Sequence, residues 1–537
     1  MSCTTILVGK DASYDGSTMI ARNDDSGAGH YTPKKMEVLP ARSGQAEYTS
    51  VLSHVTVKLP DKAYRCTIMP NAVKGEGLWG ACGVNEKEVG MTATETITSN
   101  PRVLGADPLV RYQPADGDHA EVPGGIGEED LVILTLPYIS SARDGVRRLG
   151  RLLEEYGTYE MNGIAFSDKD EIWWLETIGG HHWMARRVPD DSYVVMPNQL
   201  GIDEFDFDDA YGDQEEYMCS SELREFVARY HLDLTQYDRD FLDLDDEEDE
   251  EEEDEDTPYL TFDFDQDDGE EDDEDDEEAL ADFDPRAAFG SHDDADHVYN
   301  TPRAWYMLRY FNPNDFDWDG PDADYRPDSD DLPWCMVPEK KITPEDIKYV
   351  LSSHFQGTPY DPYKSYGDKS LAGSFRSIGI NRTDFMGFIQ IRPCMPAGCR
   401  AIEWVAFASN AFNVMVPVYP QVDSIPDYLS GTTGKVSTDS FYWVSRLIAA
   451  LSDAGYRKNQ NYIERYQLAV QARANHIVNV TDDKLLAGSG PAALEKIQAE
   501  ANESACAMVS KEASRILGTV LDETSNLMKN QFARSDA

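Results

Sequence analysis

Two runs of acidic side chains in the middle of the sequence constrain the fold more than any other feature. Residues 245–256 are all Asp or Glu, and residues 267–278 are acidic except for one glycine. Residues 240–284 contain 29 acidic side chains and no Lys or Arg, about half of the excess behind the net charge of -54. Because like charges at this density repel one another, no packed helix or strand tolerates them. The sequence predicts a disordered acidic insert at 240–284, with folded chain on both sides.

The chain on either side of the insert mixes strands and helices. Before it, short β-rich runs alternate with turns, and apolar residues that recur on one face predict a helix over 141–156. After it, strands are predicted within 375–392 and 400–418. From residue 439 to 533 the pattern is helical, with an interruption around 481–491. This arrangement favours an α+β fold over a doubly wound sheet.

The first residues of the chain predict a β-hairpin. Residues 3–9 read CTTILVG, an apolar and β-branched run closed by glycine, and a DG turn signal at 15–16 precedes a second apolar run. About seven residues out and about seven back place Arg22 and Asp25 beside Cys3. The sequence therefore predicts a cysteine held at a strand end, with an arginine and an aspartate flanking its thiol.

Such charges suit an amino-terminal nucleophile. Once Met1 and Ser2 are removed, Cys3 carries a thiol and an α-amine, which titrate near ~8.5 and ~7.7 to 8.0, so the amine can act as base without a histidine. A guanidinium favours the thiolate, and a carboxylate can hold an α-ammonium. On the residues alone, an ordinary buried cysteine beside a surface salt bridge remains an open alternative.

Five segments carry a family resemblance: CTTILVG at 3–9, YDGSTMIARNDD at 14–25, GACGVNEKEVGMTATET at 80–96, NGIAFSDKDEIWWLE at 162–176 and TPYDPY at 358–363. Together they resemble the bacterial cysteine dipeptidases of the dipeptidase A type, which belong to the N-terminal nucleophile hydrolases. The resemblance covers most of the chain. It implies a four-layer αββα sandwich with a C-terminal helical segment, and hydrolysis of dipeptides through an acyl-thioester intermediate.

By this resemblance Cys3 is the nucleophile, Arg22 and Asp25 are its electrostatic partners, and Asn198 contributes to the active site. Methionine removal leaves Ser2 in front of the cysteine. We therefore expect Cys3 to release its own leader by an N-to-S acyl shift on the Ser2 carbonyl.

Two further side chains, Glu95 and Arg376, are not selected as site residues. In related amidases that cleave bile salts and penicillin V, an asparagine stands where this sequence has Glu95. An ionised carboxylate donates no hydrogen bond, so Glu95 is left out of the oxyanion hole. Arg376 is a candidate for binding a substrate carboxylate, but a structural ion pair is the favoured interpretation.

The implied organisation has four parts. They are a first part of the catalytic domain at 3–239, the acidic insert at 240–284, the remainder of the catalytic domain at 285–438, and a C-terminal helical segment at 439–537. Two alternatives stay open. One is an amidase of the bile-salt or penicillin V acylase type, and the other is a non-catalytic acidic interaction protein.

Composition excludes several other classes. The chain lacks the Lys and Arg clusters that a nucleic-acid partner requires. No stretch approaches the ~18 apolar residues of a membrane span. Eight cysteines without a paired rhythm favour a reducing, cytoplasmic location. Without a zinc protease motif, no metal or other cofactor is expected, and the sequence leaves a homo-oligomer open.

Overall fold

The computed structural model describes residues 3–234, 283–291 and 293–530. The predicted insert at 240–284 lies outside the described residues, except for its last two positions.

Phe283 already belongs to the fold, two residues before the predicted start of the second part of the catalytic domain at residue 285. The backbone N–H of Phe205 donates to the carbonyl of Phe283 at 3.0 Å. The Phe283 ring is buried, with its centroid 5.2 Å from that of Phe207. Asp284 then caps a short helix, since its Oδ1 accepts from the backbone N–H of Ala287 at 3.0 Å.

The described residues form nineteen strands: β1 (Thr4–Val8), β2 (Thr18–Asp25), β3 (Glu37–Leu39), β4 (Arg42–Ser43), β5 (Ala46–Thr49), β6 (Thr56–Leu59), β7 (Lys62–Ala63), β8 (Cys66–Ile68), β9 (Cys82–Val84), β10 (Gly90–Thr96), β11 (Asn162–Ser167), β12 (Ile172–Ile178), β13 (His182–Arg187), β14 (Tyr193–Met196), β15 (Tyr217–Cys219), β16 (Cys335–Met336), β17 (Thr383–Ile391), β18 (Ala401–Phe407) and β19 (Val416–Val418).

The same residues form thirteen α-helices: α1 (Pro101–Ala106), α2 (Glu128–Thr135), α3 (Ala142–Tyr156), α4 (Phe207–Tyr211), α5 (Leu223–Tyr230), α6 (Pro285–Phe289), α7 (Asp296–Tyr299), α8 (Thr301–Phe311), α9 (Pro344–Leu351), α10 (Asp427–Ser430), α11 (Phe441–Ala454), α12 (Tyr456–Ala487) and α13 (Pro491–Ser525). The mixed composition confirms the predicted α+β class, and α3 confirms the predicted helix at 141–156.

The hairpin β1–β2 lies at the centre of a seven-stranded antiparallel sheet. The strand order is β16-β14-β1-β2-β17-β18-β19. Thr5 of β1 lies opposite Arg22 of β2 and, on its other side, opposite Met196 of β14. Arg22 in turn lies opposite Gly387 of β17. The predicted hairpin is therefore confirmed, and its two outer neighbours come from distant parts of the chain.

A second, six-stranded antiparallel sheet has the order β15-β13-β12-β11-β10-β9 and carries α2 and α3 on one face. Strand side chains alternate between faces. Phe166 and Trp173 therefore pack with Val146 of α3. Their neighbours Ala165 and Trp174 point the other way, into a different apolar cluster.

That cluster lies between the two sheets. It joins Ala165 and Trp174 to Leu7, Ile20 and Ile389 of the seven-stranded sheet. Burial of each large apolar side chain contributes about 1.5 to 3 kcal/mol, so this shared core holds the sheets face to face.

The opposite face of the seven-stranded sheet is covered by helices. Ile6, Ala21 and Phe388 pack there against α8 and α9 in a separate cluster. The first two strands are thus enclosed on both faces, which explains why every residue of β1 and β2 is buried.

The C-terminal helices α11, α12 and α13 pack against the β18–β19 edge, where Val416 and Val418 share a cluster with Val509. The helical prediction from residue 439 is confirmed as far as Ser525, but the break between α12 and α13 is narrower than the predicted 481–491. The polar residues after position 480 do not end α12, which continues to Ala487. The break before α13 is confined to residues 488–490, where Gly490 has a φ of +85°. No helix in the described part of the chain is both long and apolar enough to cross a bilayer.

Gly150 of α3 allows this helix to approach the six-stranded sheet closely. A Cβ at position 150 lies 2.3 Å from Cζ2 of Trp183. We expect Gly150→Ala to lower the thermal unfolding midpoint, because the overlap costs about 1 to 3 kcal/mol and exceeds the gain of about 1 kcal/mol in helix propensity. Gly518→Ala in α13, where a Cβ meets no atom within 4 Å, is the matched control and should raise the midpoint. A raised midpoint for Gly150→Ala would contradict the close approach.

Candidate active site

Cys3 lies immediately before β1 and is fully buried. Because paired residues of neighbouring strands share a face, Cys3, Thr5 and Arg22 point into the space between the two sheets. Nη1 of Arg22 donates a hydrogen bond to Sγ of Cys3 at 3.3 Å. The structure thus brings together two of the four residues that the sequence selects.

Arg22 is a buried cation among acidic groups. Its Nη2 lies 3.4 Å from Oδ1 of Asp24, and its Nη1 lies 3.7 Å from Oε1 of Glu128. Burial alone lowers the pKa of the guanidinium, but the negative charges of Cys3, Asp24 and Glu128 outweigh it and raise this pKa above its ordinary value. Arg22 therefore keeps a fixed positive charge beside the thiol.

Asp24 links Arg22 to a second buried cation. Nζ of Lys34 lies 3.1 Å from Oδ2 of Asp24, and both side chains are enclosed. Burial raises the pKa of this carboxyl, but the neighbouring Lys34 and Arg22 bring it below its ordinary value. Asp24 is thus an ionised carboxylate on the same face as the thiol.

Asp25 lies on the opposite face of β2, because successive side chains of a strand alternate. Its carboxylate forms an ion pair with Nη2 of Arg376, and Oγ1 of Thr383 donates to its Oδ1 at 2.6 Å. Arg376 therefore forms an ion pair, as the sequence favours. Asp24 is the carboxylate on the same face of β2 as the thiol, whereas Asp25, the last residue of β2, lies on the opposite face.

Asn198 follows β14, the strand next to β1, and is fixed at both ends of its amide. Its Nδ2 donates to the carbonyl of Thr96 at 2.8 Å, and its Oδ1 accepts from Nη2 of Arg303 at 2.7 Å. The neighbouring Glu95 has a side chain outside the part of the chain that the structure describes. Asn198 is thus connected to the site through Arg303.

Arg303 of α8 is the residue that ties Asn198 to the cysteine. Its Nη1 donates to the carbonyl oxygen of Cys3 and, at 2.7 Å, to Oγ1 of Thr4. Its Nη2 also donates to Oδ1 of Asn300 at 2.6 Å. One fully buried guanidinium therefore fixes the backbone of Cys3 from the helical side of the sheet.

Four residues of this arrangement were not predicted from the sequence, namely Arg303, Asp24, Lys34 and Glu128. A charged residue within the apolar run of α8 is the one trace that Arg303 leaves in the sequence. Glu128 stands in an acidic first turn of a helix, a pattern that dipole and capping effects explain without any site.

The side chains near the thiol include atoms of the kinds that can bind a metal ion. One ligand atom each of Cys3, Asp24 and Glu128 lies within 4.8 Å of the others. Arg22 and Lys34 already pair with these acidic groups, so the site contains its own cations and we assign no metal to it.

The chain as a whole matches a known protein family and several of its members. The profile described as Peptidase family C69 matches residues 2–469. The chain is 52% identical over 538 residues to a dipeptidase of Bifidobacterium longum, covering 99% of this chain and 92% of that protein. It is 46% identical to a probable dipeptidase A of Streptococcus pyogenes (100% and 98% covered) and 40% identical to dipeptidase A of Lactobacillus helveticus (99% and 98% covered).

The contact between Arg22 and Cys3 predicts how the thiol reacts. We expect Arg22→Gln to slow alkylation of Cys3 by iodoacetamide at pH 7 about ten-fold, because the thiolate loses its neighbouring positive charge and only the thiolate reacts. Peptide mass spectrometry measures each cysteine separately, and the exposed Cys394 serves as internal reference.

Arg515→Gln is the matched control for this experiment. Arg515 is a partly exposed arginine of α13 that pairs with Glu512, and its loss should leave both alkylation rates unchanged. If Cys3 reacts equally fast in Arg22→Gln and in the control, the guanidinium does not stabilise the thiolate.

Proposed function

Because the chain belongs to peptidase family C69, a family of cysteine peptidases, we propose that it hydrolyses dipeptides with Cys3 as the nucleophile. The relatives named as dipeptidases match nearly the full length of the chain. The observation that carries the proposal is the hydrogen bond from Arg22 to the buried Sγ of Cys3.

The proposed reaction requires the α-amine of Cys3, and so the removal of Met1 and Ser2. The amine takes the thiol proton, and the thiolate attacks the scissile carbonyl carbon. The amine returns the proton to the leaving nitrogen, the C–N bond breaks, and a thioester remains on Cys3. Water deprotonated by the same amine then cleaves the thioester and releases the first amino acid.

Maturation uses the same thiol in our proposal. After methionine removal, the thiol of Cys3 adds to the carbonyl carbon of Ser2, the C–N bond breaks, and the thiol proton passes to the departing nitrogen, so that a thioester forms and the Cys3 amine is released. Hydrolysis of that thioester frees serine and regenerates the thiol.

The charged residues have separate proposed roles. Arg22 stabilises the thiolate, since it is a permanent cation in an enclosed space where electrostatic interactions are strong. Asp25, held by Arg376 and Thr383 on the other face of β2, stabilises the α-ammonium.

Asn198 and Arg303 act on the carbonyl side. Arg303 is a positioning residue, because it holds the Cys3 carbonyl and the Asn198 amide together. The fixed amide of Asn198 contributes to binding the substrate as charge develops on its carbonyl oxygen.

We also propose the αββα architecture of N-terminal nucleophile hydrolases for this chain. The apolar clusters that join α2 and α3 to one sheet, that sheet to the other, and the other to α8 and α9 support it. Residues 3–239 and 285–438 then form one catalytic domain, and 439–537 an added helical segment. Free thiols at all eight cysteines are compatible with a cytoplasmic location.

The proposed maturation predicts the mass of the protein. Purified protein should begin at Cys3 and hydrolyse a panel of dipeptides, whereas Cys3→Ala should begin at Ser2 and lose activity by at least about 10³-fold, because both nucleophile and self-processing are gone. Cys3→Ser should retain weak activity. Intact-mass spectrometry and dipeptide hydrolysis on the same samples measure both properties.

Three outcomes would count against this mechanism. Full activity in a chain that retains Ser2 would exclude the α-amine as base. Cleavage of penicillin V or bile-salt amides without cleavage of dipeptides would favour an amidase. A Cys3→Ala variant that begins at position 3 would show that another peptidase removes the leader.

The acidic insert is not required for the proposed reaction. Replacing residues 240–282 with a short Gly-Ser linker should leave dipeptide hydrolysis within about two-fold of the full chain, because residue 283 already belongs to the fold. A longer deletion that also removes Phe283 and Asp284 is the matched control. It should lower the thermal unfolding midpoint, since loss of a buried Phe costs about 3 to 5 kcal/mol. Loss of activity with the shorter deletion would indicate that the insert takes part in the function.

A further inference from the structure

Glu128 is a buried carboxylate that the reaction described above does not use. It begins α2, and only 3% of its side-chain surface is exposed. Oε1 lies 3.7 Å from Nη1 of Arg22. Oε2 is also enclosed, and within the described residues it has no hydrogen-bond partner. A buried carboxylate oxygen without a donor is unfavourable, so it indicates a place for a ligand that donates hydrogen bonds.

The charges around Glu128 favour a cation. Glu128 shares the guanidinium of Arg22 with Cys3 and Asp24, whereas the ammonium of Lys34 pairs with Asp24. A positively charged group of the substrate would give Glu128 a cationic partner of its own in an enclosed space where charges interact strongly.

Glu160 is a further acidic group beside Glu128. Its Oε1 accepts a hydrogen bond from the backbone N–H of Glu128 at 2.7 Å. Burial and the negative charge of Glu128 raise the pKa of Glu160 to about 7. The two carboxylates repel one another, and a positive charge beside them would offset that repulsion.

The distance from the thiol matches the position of an α-ammonium. A carboxylate oxygen of Glu128 lies within 4.8 Å of Sγ of Cys3. In an α-amino acyl group, the nitrogen lies about 2.5 Å from the carbonyl carbon, and sulfur approaches that carbon to about 3 to 3.5 Å before it attacks. A charge-assisted hydrogen bond of about 2.8 Å from the nitrogen then reaches Glu128. These three lengths, taken end to end, can span the observed separation between Sγ and the carboxylate oxygen.

We propose that Glu128 binds the free α-ammonium of the residue whose carbonyl Cys3 attacks, and that it restricts the substrates to peptides with an unblocked amino terminus. This inference rests on the proposed dipeptidase function and deepens it. An acylated substrate offers only a neutral amide N–H in place of the positive charge, so it forms a weaker hydrogen bond with the carboxylate. The same residue therefore disfavours the N-acylated substrates that an amidase of similar chemistry accepts.

A pair of substrates tests this role. Hydrolysis of Ala-Leu and of N-acetyl-Ala-Leu is measured with the mature wild-type enzyme and with Glu128→Gln. The wild type should prefer the free dipeptide by at least about 100-fold. In Glu128→Gln, kcat/KM for the free dipeptide should fall about 10- to 100-fold, mainly through KM, because a charge-assisted hydrogen bond is lost. The acetylated peptide should be unaffected or improved, so the preference should shrink.

Glu129→Gln is the matched control. Glu129 is the next buried acid of the same helical turn, but its Oε1 accepts from the backbone N–H of Leu52 at 2.7 Å and from Oγ of Ser50, away from the thiol. This variant should keep the wild-type preference. The alkylation rate of Cys3 should stay within about three-fold of wild type in both variants, which separates substrate binding from damage to the nucleophile.

Two results would overturn the inference in different ways. A wild type that hydrolyses both peptides equally, or a Glu128→Gln variant that keeps the full preference, would remove Glu128 from amine recognition while leaving dipeptide hydrolysis in place. A mature wild type that hydrolyses neither peptide would instead contradict the proposed function on which the inference rests.

Discussion

The buried guanidinium of Arg22 is the interaction on which the arrangement around Cys3 depends. It donates to the thiol, and it neutralises Asp24 and Glu128 at distances of 3.4 and 3.7 Å. Without it, three acidic groups would face one another in a space closed to water, and burial of such charges is unfavourable unless they are paired. The centre of the seven-stranded sheet can therefore contain ionised acidic side chains, because Arg22 lies among them and Lys34 pairs with Asp24.

The two faces of β2 carry different charged groups. The face between the sheets carries Arg22 and Asp24, whereas the helical face carries Asp25 with its partner Arg376. Cys3 stands at the strand end, so its side chain belongs to one face and its backbone can be reached from the other. Arg303 uses this second approach when it binds the carbonyl of Cys3. A residue at a strand end can thus be contacted by side chains from both faces of the sheet.

The sequence could predict the parts of this arrangement that depend on local pattern. A turn signal and two apolar runs were sufficient for the β1–β2 hairpin, and the hairpin was sufficient to bring Arg22 to Cys3. The choice between Asp24 and Asp25 depends on which strand face each residue occupies, and two adjacent aspartates in a loop-like run do not reveal that. Arg303 lies 300 residues from Cys3 in the chain, and no local pattern encodes so distant a contact. Glu128 matches the common pattern of acidic residues at the start of a helix. Its partner Arg22 lies in the seven-stranded sheet, and the local sequence around Glu128 does not reveal that contact.

The order of strands in the seven-stranded sheet also affects when Cys3 can acquire its surroundings. β2 pairs with β17, so Asp25 meets Thr383, which lies 358 residues further along the chain. A ribosome adds about 5 to 20 residues per second, and contacts between distant residues form late in folding. The sheet around Cys3 is therefore incomplete until β17 has been synthesised. Topology separates in time the synthesis of this thiol from the assembly of the sheet that encloses it.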